Sequence, residues 1–247
     1  MSKFVGPDEV ISALRYFMDR IVPAGVKNVL MFADNCAAQN KNSFLFAAIQ
    51  AIVNERFEKF VLQFPTPGHS RMAADADFGK IVMKRKSVET VYGPSEWIKL
   101  IEESNATKPF KTYYLEKACN NTMSMDGREV IRVCDFKAAL ESKTNRSLTG
   151  ITKIRRIAFA REVKPTILDA TSPDLIGTDF SLLDLKTTPA VLRKAFRCKK
   201  LKYNKFRPVS DAKLNDIKSL MRFALTDDSE IFYNSIPKMV PSRRRNT

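Results

Sequence analysis

Histidine is nearly absent from this chain. His69 is the single one among 247 residues, and the four cysteines (Cys36, Cys119, Cys134 and Cys198) are scattered with no CxxC pair. A structural zinc site and Ser–His or Cys–His nucleophilic chemistry are therefore disfavoured. The thiols read as reduced and mostly buried. No apolar run reaches the ~18 residues of a membrane span. The opening MSKFVGPDEV lacks the charged-then-apolar pattern of a signal peptide. The expectation is a soluble intracellular protein, nuclear or cytoplasmic, with no membrane partner. There is no internal repeat and no low-complexity tract.

Acidic residues are also in short supply, at 27 Asp+Glu against 42 Lys+Arg, a formal net charge of +15. Such a balance attracts polyanions such as DNA or RNA, and DNA is the expected partner. The excess lies mostly beyond Lys86. A hydrophobic fraction of 44% is ample for a core.

Two stretches organise the chain: Asn28–Asn42 (NVLMFADNCAAQNKN) and Phe60–Gly79 (FVLQFPTPGHSRMAADADFG). In each, a short apolar run reads as a buried strand, ends in a polar cluster and is followed by a helical pattern. Pro7, Asp8 and Glu9 open a first helix with Pro in the first turn and acids at the positive end of the dipole. Val29–Phe32 is the next strand, Phe44–Ile52 a helix, Phe60–Phe64 a strand, and Ser70 the expected N-cap of a helix through Met72, Asp75 and Phe78. Residues 7–86 thus read helix, strand, helix, strand, helix, which implies a parallel strand pair. Beyond Lys86, Pro94–Glu103 and Asp135–Ser142 read as helices. Lys111–Leu115, Val130–Cys134 and Ile151–Phe159 read as strands, expected to be antiparallel. Residues 163–190 read as loop, and Asp211–Leu225 and Ser229–Ile236 as two final helices.

Asp34 stands at the carboxyl end of a strand, where open α/β sheets bind ligands. Asp75 stands in the helix after the neighbouring strand. Two-metal phosphoryl chemistry uses hard carboxylate oxygens in such places. The plainer readings are a turn or capping aspartate for Asp34 and a solvated helix residue for Asp75. His69 could orient a water or contact a phosphate, or simply bond to backbone. Gln39, Asn40, Asn42 and Arg71 could contact a nucleic-acid strand, and the Asn and Gln residues equally suit turns and caps. The basic–aromatic stretches Ile151–Arg161 and Lys199–Arg207, the latter with Lys199, Lys200, Lys202, Lys205 and Arg207, suit phosphate contact and base stacking. Each could equally be one charged, wet face.

These residues carry a resemblance. FADNCAAQNKN followed by PTPGHSRMAADADFG is similar to a transposon-derived eukaryotic family of uncharacterised proteins. That family shows a strand ending SD-x-C-x-x-QN-x-N and then GHT-x-x-x-x-D-x-x-F. Asp34, Cys36, Gln39, Asn40 and Asn42 match the first motif. Gly68, His69, Asp75 and Phe78 match the second, with Ser70 in place of Thr. Gly6 with Glu9–Val10, and Leu201–Pro237, resemble the family's first helix entry and its closing segment. The resemblance implies a DDE-type, ribonuclease-H-like transposase or integrase domain acting on DNA. Asp34 and Asp75 would be catalytic ligands of Mg²⁺ or Mn²⁺, and His69 would assist.

In that fold a first catalytic aspartate lies on the first of three antiparallel strands that precede the first helix, and only six residues precede Pro7 here. The expectation is a partial α/β ribonuclease-H-like sheet without its N-terminal hairpin over residues 1–90. An α+β extension follows to 200, then a helical segment over 201–240 and a disordered basic tail over 241–247. The expected function is a DNA-binding protein with a remnant, inactive metal site, possible as a homo-oligomer. The alternative is an active metal-dependent nuclease or integrase-like enzyme, with the missing aspartate supplied upstream or in trans.

Overall fold

The computed structural model describes residues 5–66, 72–116, 129–145, 149–202, 210–221, 223, 227–234 and 236. The chain forms two compact units that interleave along the sequence. One combines Ser2–Ser70 with Ile131–Lys202, and the other combines Arg71–Val130 with Tyr203–Thr247. They are called below the sheet unit and the helical unit.

The sheet unit begins with α1 (Pro7–Arg20), which carries Pro7 at its start, Asp8 and Glu9 in the first turn, and Ile11, Leu14 and Met18 on its buried face. Glu9 Oε2 accepts the Gly6 N–H at 2.9 Å, satisfying a donor ahead of the first turn. The strand β1 (Asn28–Phe32) leads through a polar loop into α2 (Ser43–Glu55), and β2 (Lys59–Gln63) follows. Ten consecutive residues of α2, Leu45–Asn54, are buried, so the helix is surrounded by core rather than lying on a surface.

β1 and β2 pair in parallel, with Leu30 opposite Val61 and Phe32 opposite Gln63. The expected parallel pair is therefore present. β5 (Ile154–Ala160) joins β2 antiparallel, with Val61 opposite Ala158, and β6 (Thr166–Ala170) joins β5 antiparallel. The result is a mixed four-stranded sheet in the order β1-β2-β5-β6. Phe60, Leu62, Phe64, Ile157 and Phe159 enter the core. The core also takes Phe136 and Leu140 of α5 (Phe136–Leu140) and Leu192 and Phe196 of α6 (Pro189–Phe196). The opposite face carries Leu30, Phe32, Val61 and Ala158 by the same register.

In the helical unit lie α3 (Ala73–Lys86), α4 (Pro94–Glu103), α7 (Asp211–Met221) and α8 (Asp227–Asn234). α3 buries no residue. Leu100 of α4 and Leu214 of α7 are buried, and Tyr233 Oη donates to the Tyr92 carbonyl at 2.8 Å. The short strand β3 (Tyr114–Glu116) lies in this unit, and β4 (Val130–Arg132) crosses from it into the sheet unit. Among the described residues, no helix is long and apolar enough to cross a membrane.

Several expectations need correction. β6 lies inside the stretch expected to be loop, and α6 begins at the end of it. The cues for α6 were present: Thr188 caps it by accepting the Val191 N–H, with Pro189 at the first helical position. The segment Ile151–Lys153 is a 3₁₀ turn, so β5 starts only at Ile154. α3 starts at Ala73 with Met72 at the N-cap position, which places Asp75 in the first turn, nearer the helix start than a cap at Ser70 would. Ser70, the expected cap, and the basic tail over 241–247 lie outside the described residues.

Candidate functional site

Beyond Phe32 the parallel ladder continues for one residue, as the Ala33 N–H donates to the Gln63 carbonyl at 3.1 Å. Asp34 then leaves the sheet at its carboxyl end and is exposed. Its Oδ1 accepts the Cys36 N–H at 3.0 Å and the Asn40 side-chain amide at 2.7 Å. The N–H groups of Gln39, Asn40 and Lys41 all converge on the Cys36 carbonyl. Asn42 closes the loop. Its Oδ1 accepts the Leu45 N–H at 3.0 Å as the cap of α2, and its amide donates to the carbonyls of Ala37 and Gln39. Asn35 ties the loop across to the segment after β2, donating to the Pro65 carbonyl at 2.7 Å. In this structure Asp34, Asn40 and Asn42 therefore build the loop that holds them, and Gln39 contributes its backbone.

Lys41 belongs to the same cluster. It is only 7% exposed, its Nζ donates to Asn35 Oδ1 at 3.0 Å, and it lies 4.9 Å from the centroid of the Phe64 ring. Burial, helped by the Arg155 charge, holds its pKa below the ordinary lysine range. The sequence placed Lys41 inside the matched motif, but only the fold buries it against Phe64.

Asp75 lies in the helical unit and Asp34 in the sheet unit. Asp75 Oδ2 accepts the Met72 N–H at 2.8 Å, so the carboxylate caps its own helix. Asp77 pairs with Lys80 at 2.8 Å. His69 and Arg71 lie outside the described residues. Among the described residues, no group of three or more His, Cys, Asp or Glu side chains is placed to hold a metal ion.

The basic stretch at 199–207 divides. Lys199 and Lys200 are exposed, and Lys200 lies 3.7 Å from Asp135. Lys205 and Arg207 lie outside the described residues. Lys202 turns inward, pairing with Asp135 at 2.9 Å and with Asp8 at 3.1 Å. Asp8 is buried and also accepts the Lys137 N–H at 2.7 Å. Burial opposes charge on Asp135 and Lys202, but it is outweighed on Asp135 by the hydrogen bond and charge of Lys202, the Ala138 N–H and the Lys200 charge, and on Lys202 by its hydrogen bonds to Asp135 and Asp8 and their charges. The Asp135 pKa is left low and the Lys202 pKa high. This triad pins the chain after α6 to α1 and α5. It was missed because its partners lie far apart in sequence and Asp8 fits a helix-dipole role equally well.

Residues 14–169 match the family described as Domain of unknown function (DUF7869). The chain belongs to that family. The match runs from within α1 into β6, and it includes both the Asp34 loop and Asp75. No curated protein and no solved structure matches the chain. Membership of the DUF7869 family does not by itself assign a chemistry to either carboxylate.

Proposed function

We propose that this DUF7869 protein binds DNA, and that its descent is from a transposase with a partial ribonuclease-H-like sheet. The observation that carries the reading is the net charge of +15, together with exposed cations that carry it at the surface. Lys153, Arg156 and Lys164 in and around β5 are exposed, with no acidic partner among the described residues, and so is Lys199 after α6. Such a surface recruits phosphates by releasing counterions. The motif match, the parallel β1–β2 pair and the position of Asp34 at its carboxyl end support the descent.

The DNA-binding reading asks nothing of the two motif carboxylates, which bond to their own turns. A two-metal centre needs several hard oxygen ligands converging on the ions. The Asp34 loop offers one carboxylate, with one oxygen already committed to Cys36 and Asn40. Among the described residues, the donor set offers fewer hard ligands than Mg²⁺ or Mn²⁺ needs. The enzyme reading keeps one observation in its favour: Asp34 is exposed, and it is Oδ1 alone that accepts the Cys36 and Asn40 bonds.

Fluorescence anisotropy with a labelled duplex tests the proposal. Affinity is expected to fall steeply as salt rises. Replacing Lys153, Arg156 and Lys164 together by Ala is expected to lower the salt slope by about 1 for each phosphate that these side chains neutralise. Absence of binding at low salt would refute the reading. Nicking of supercoiled plasmid in Mn²⁺ by the wild type, abolished in Asp34→Asn, would establish the enzyme instead.

A further inference from the structure

Lys41 carries its charge in an unfavourable place. It directly precedes Asn42, the cap of α2, so it stands at the positive end of that helix, where the aligned peptide dipoles oppose a cation. No acid stands in the first turn of α2 to offset it. The side chain is also buried, which penalises the charge again.

A second cation adjoins it. The Arg155 carbonyl accepts the Phe64 N–H at 2.7 Å, and Lys41 Nζ lies 4.9 Å from the centroid of the same Phe64 ring. The Arg155 charge is felt at Lys41, where it joins burial in keeping the amine's pKa low. Among the described residues, neither cation pairs with a carboxylate. Residues 67–71, which follow this part of the chain, contain no acid. Asp34, in the same loop, spends Oδ1 on Cys36 and Asn40. What Lys41 does contact is neutral: Asn35 Oδ1 at 3.0 Å and the ring face. Asn35 is exposed and Arg155 half-buried, so Nζ ends just beneath the surface, within reach of a small ion.

We propose that Lys41, Arg155 and the amino end of α2 form a site for one phosphate group. A tetrahedral dianion answers the three positive features together. It accepts from the ammonium donors that Asn35 leaves over and from the guanidinium fork, and it sits favourably in the field at the helix start. A neutral ligand would leave the repulsion between the two cations as it is. The site lies wholly in the sheet unit and uses none of Lys153, Arg156, Lys164 and Lys199, so it does not rest on the DNA reading. The phosphate is either a free ion or part of a nucleic-acid backbone.

Thermal unfolding of the full chain in sodium phosphate, against sodium chloride of equal ionic strength, tests this. An ion that binds the folded state raises Tm with its concentration. Phosphate also stabilises folded chains generally by exclusion from their surface, and that part is common to all variants. Lys41→Met keeps a long side chain against Phe64 and removes the charge. The expected result is a phosphate-specific rise in the wild type. Lys41→Met and Arg155→Gln should each weaken phosphate about tenfold or more, as loss of a charge-assisted hydrogen bond does. Lys164→Ala should leave the rise intact. Circular dichroism in chloride checks that each variant is folded, and Arg155→Gln carries the test should Lys41→Met not fold. A labelled duplex at constant ionic strength identifies the source. Phosphate that displaces duplex from the wild type, but not from Lys41→Met, places a nucleic-acid phosphate in the site; duplex binding indifferent to phosphate leaves the free ion as the ligand. Equal gains in Tm for the wild type, Lys41→Met and Arg155→Gln, or no gain over chloride in the wild type, would overturn the proposal.

Discussion

In the sheet unit, Phe46 lies against Phe64, Phe159 and Phe180, with ring centroids 6.3, 5.8 and 6.1 Å away. In the helical unit, α3 buries nothing, and Phe78, Val82 and Met83 stand exposed. One unit is held by a closed aromatic and aliphatic core. The other relies on a few buried side chains such as Leu100 and Leu214, and on polar contacts such as Lys84–Glu103 at 3.5 Å. Burial of apolar area dominates stability and exposed ion pairs add little. The sheet unit therefore supplies most of the stability. The same contrast separates the carboxylates. Asp8, deep in the sheet unit, serves a buried network, while Asp34 and Asp75 are exposed and serve their own turns.

The largest expected effect tests the difference in cores. Phe46→Ala should cost about 3–5 kcal/mol, because the three surrounding rings cannot close the space. Leu100→Ala should cost about 2–3 kcal/mol, at the low end for a buried leucine, since few partners surround it. Urea unfolding followed by circular dichroism measures the first. Emission of Trp97, the only tryptophan, reports the helical unit and measures the second. Equal costs would erase the contrast between the units.

Asp8→Ala comes next, at about 2–3 kcal/mol, since it strips a partner from Lys202 and from the Lys137 N–H. The sign of its pH dependence follows from the shifts around it. Asp135 has a lowered pKa, so its contribution is complete above the ordinary carboxylate range and is lost as pH falls below that range. Lys202 has a raised pKa, so its contribution is complete below the ordinary lysine range and is lost as pH rises above it. Wild-type stability from the triad should thus be flat across neutral pH and fall at both extremes. Asp8→Ala should reduce the alkaline fall, because the Asp8 carboxylate is one cause of the raised Lys202 pKa. Unfolding free energies measured across pH check this.

The smallest effects belong to the motif carboxylates. Asp34→Ala and Asp75→Ala should each cost about 0.5–1.5 kcal/mol, as removal of a turn or cap does. Duplex affinity should be unchanged. A large drop in binding from Asp34→Ala, with the fold intact, would return that carboxylate to a ligand-binding role.

Local pattern made the first half of the sheet unit legible. A continuous apolar run with an aspartate at its end is a short-range signal, and β1, α2 and β2 stand where it placed them. Asn42 as a helix cap was equally readable, because the cap lies three residues from its donor. β6 was not, since a five-residue strand between prolines exists only when β5 lies beside it. The fate of Lys202 was hidden for the same reason. The spacing of Lys199, Lys200 and Lys202 looks like one basic face, yet one of the three turns inward to two aspartates on other elements.

For this protein the sequence alone determined where most helices and strands of the first half begin, the strongly basic charge, and the motif that marks the Asp34 loop. These depend on neighbours within a few residues. Tertiary structure alone decided which polar groups are already spoken for and which strands share the sheet. Partners for a buried charge or a backbone N–H come from segments that meet only when the chain folds.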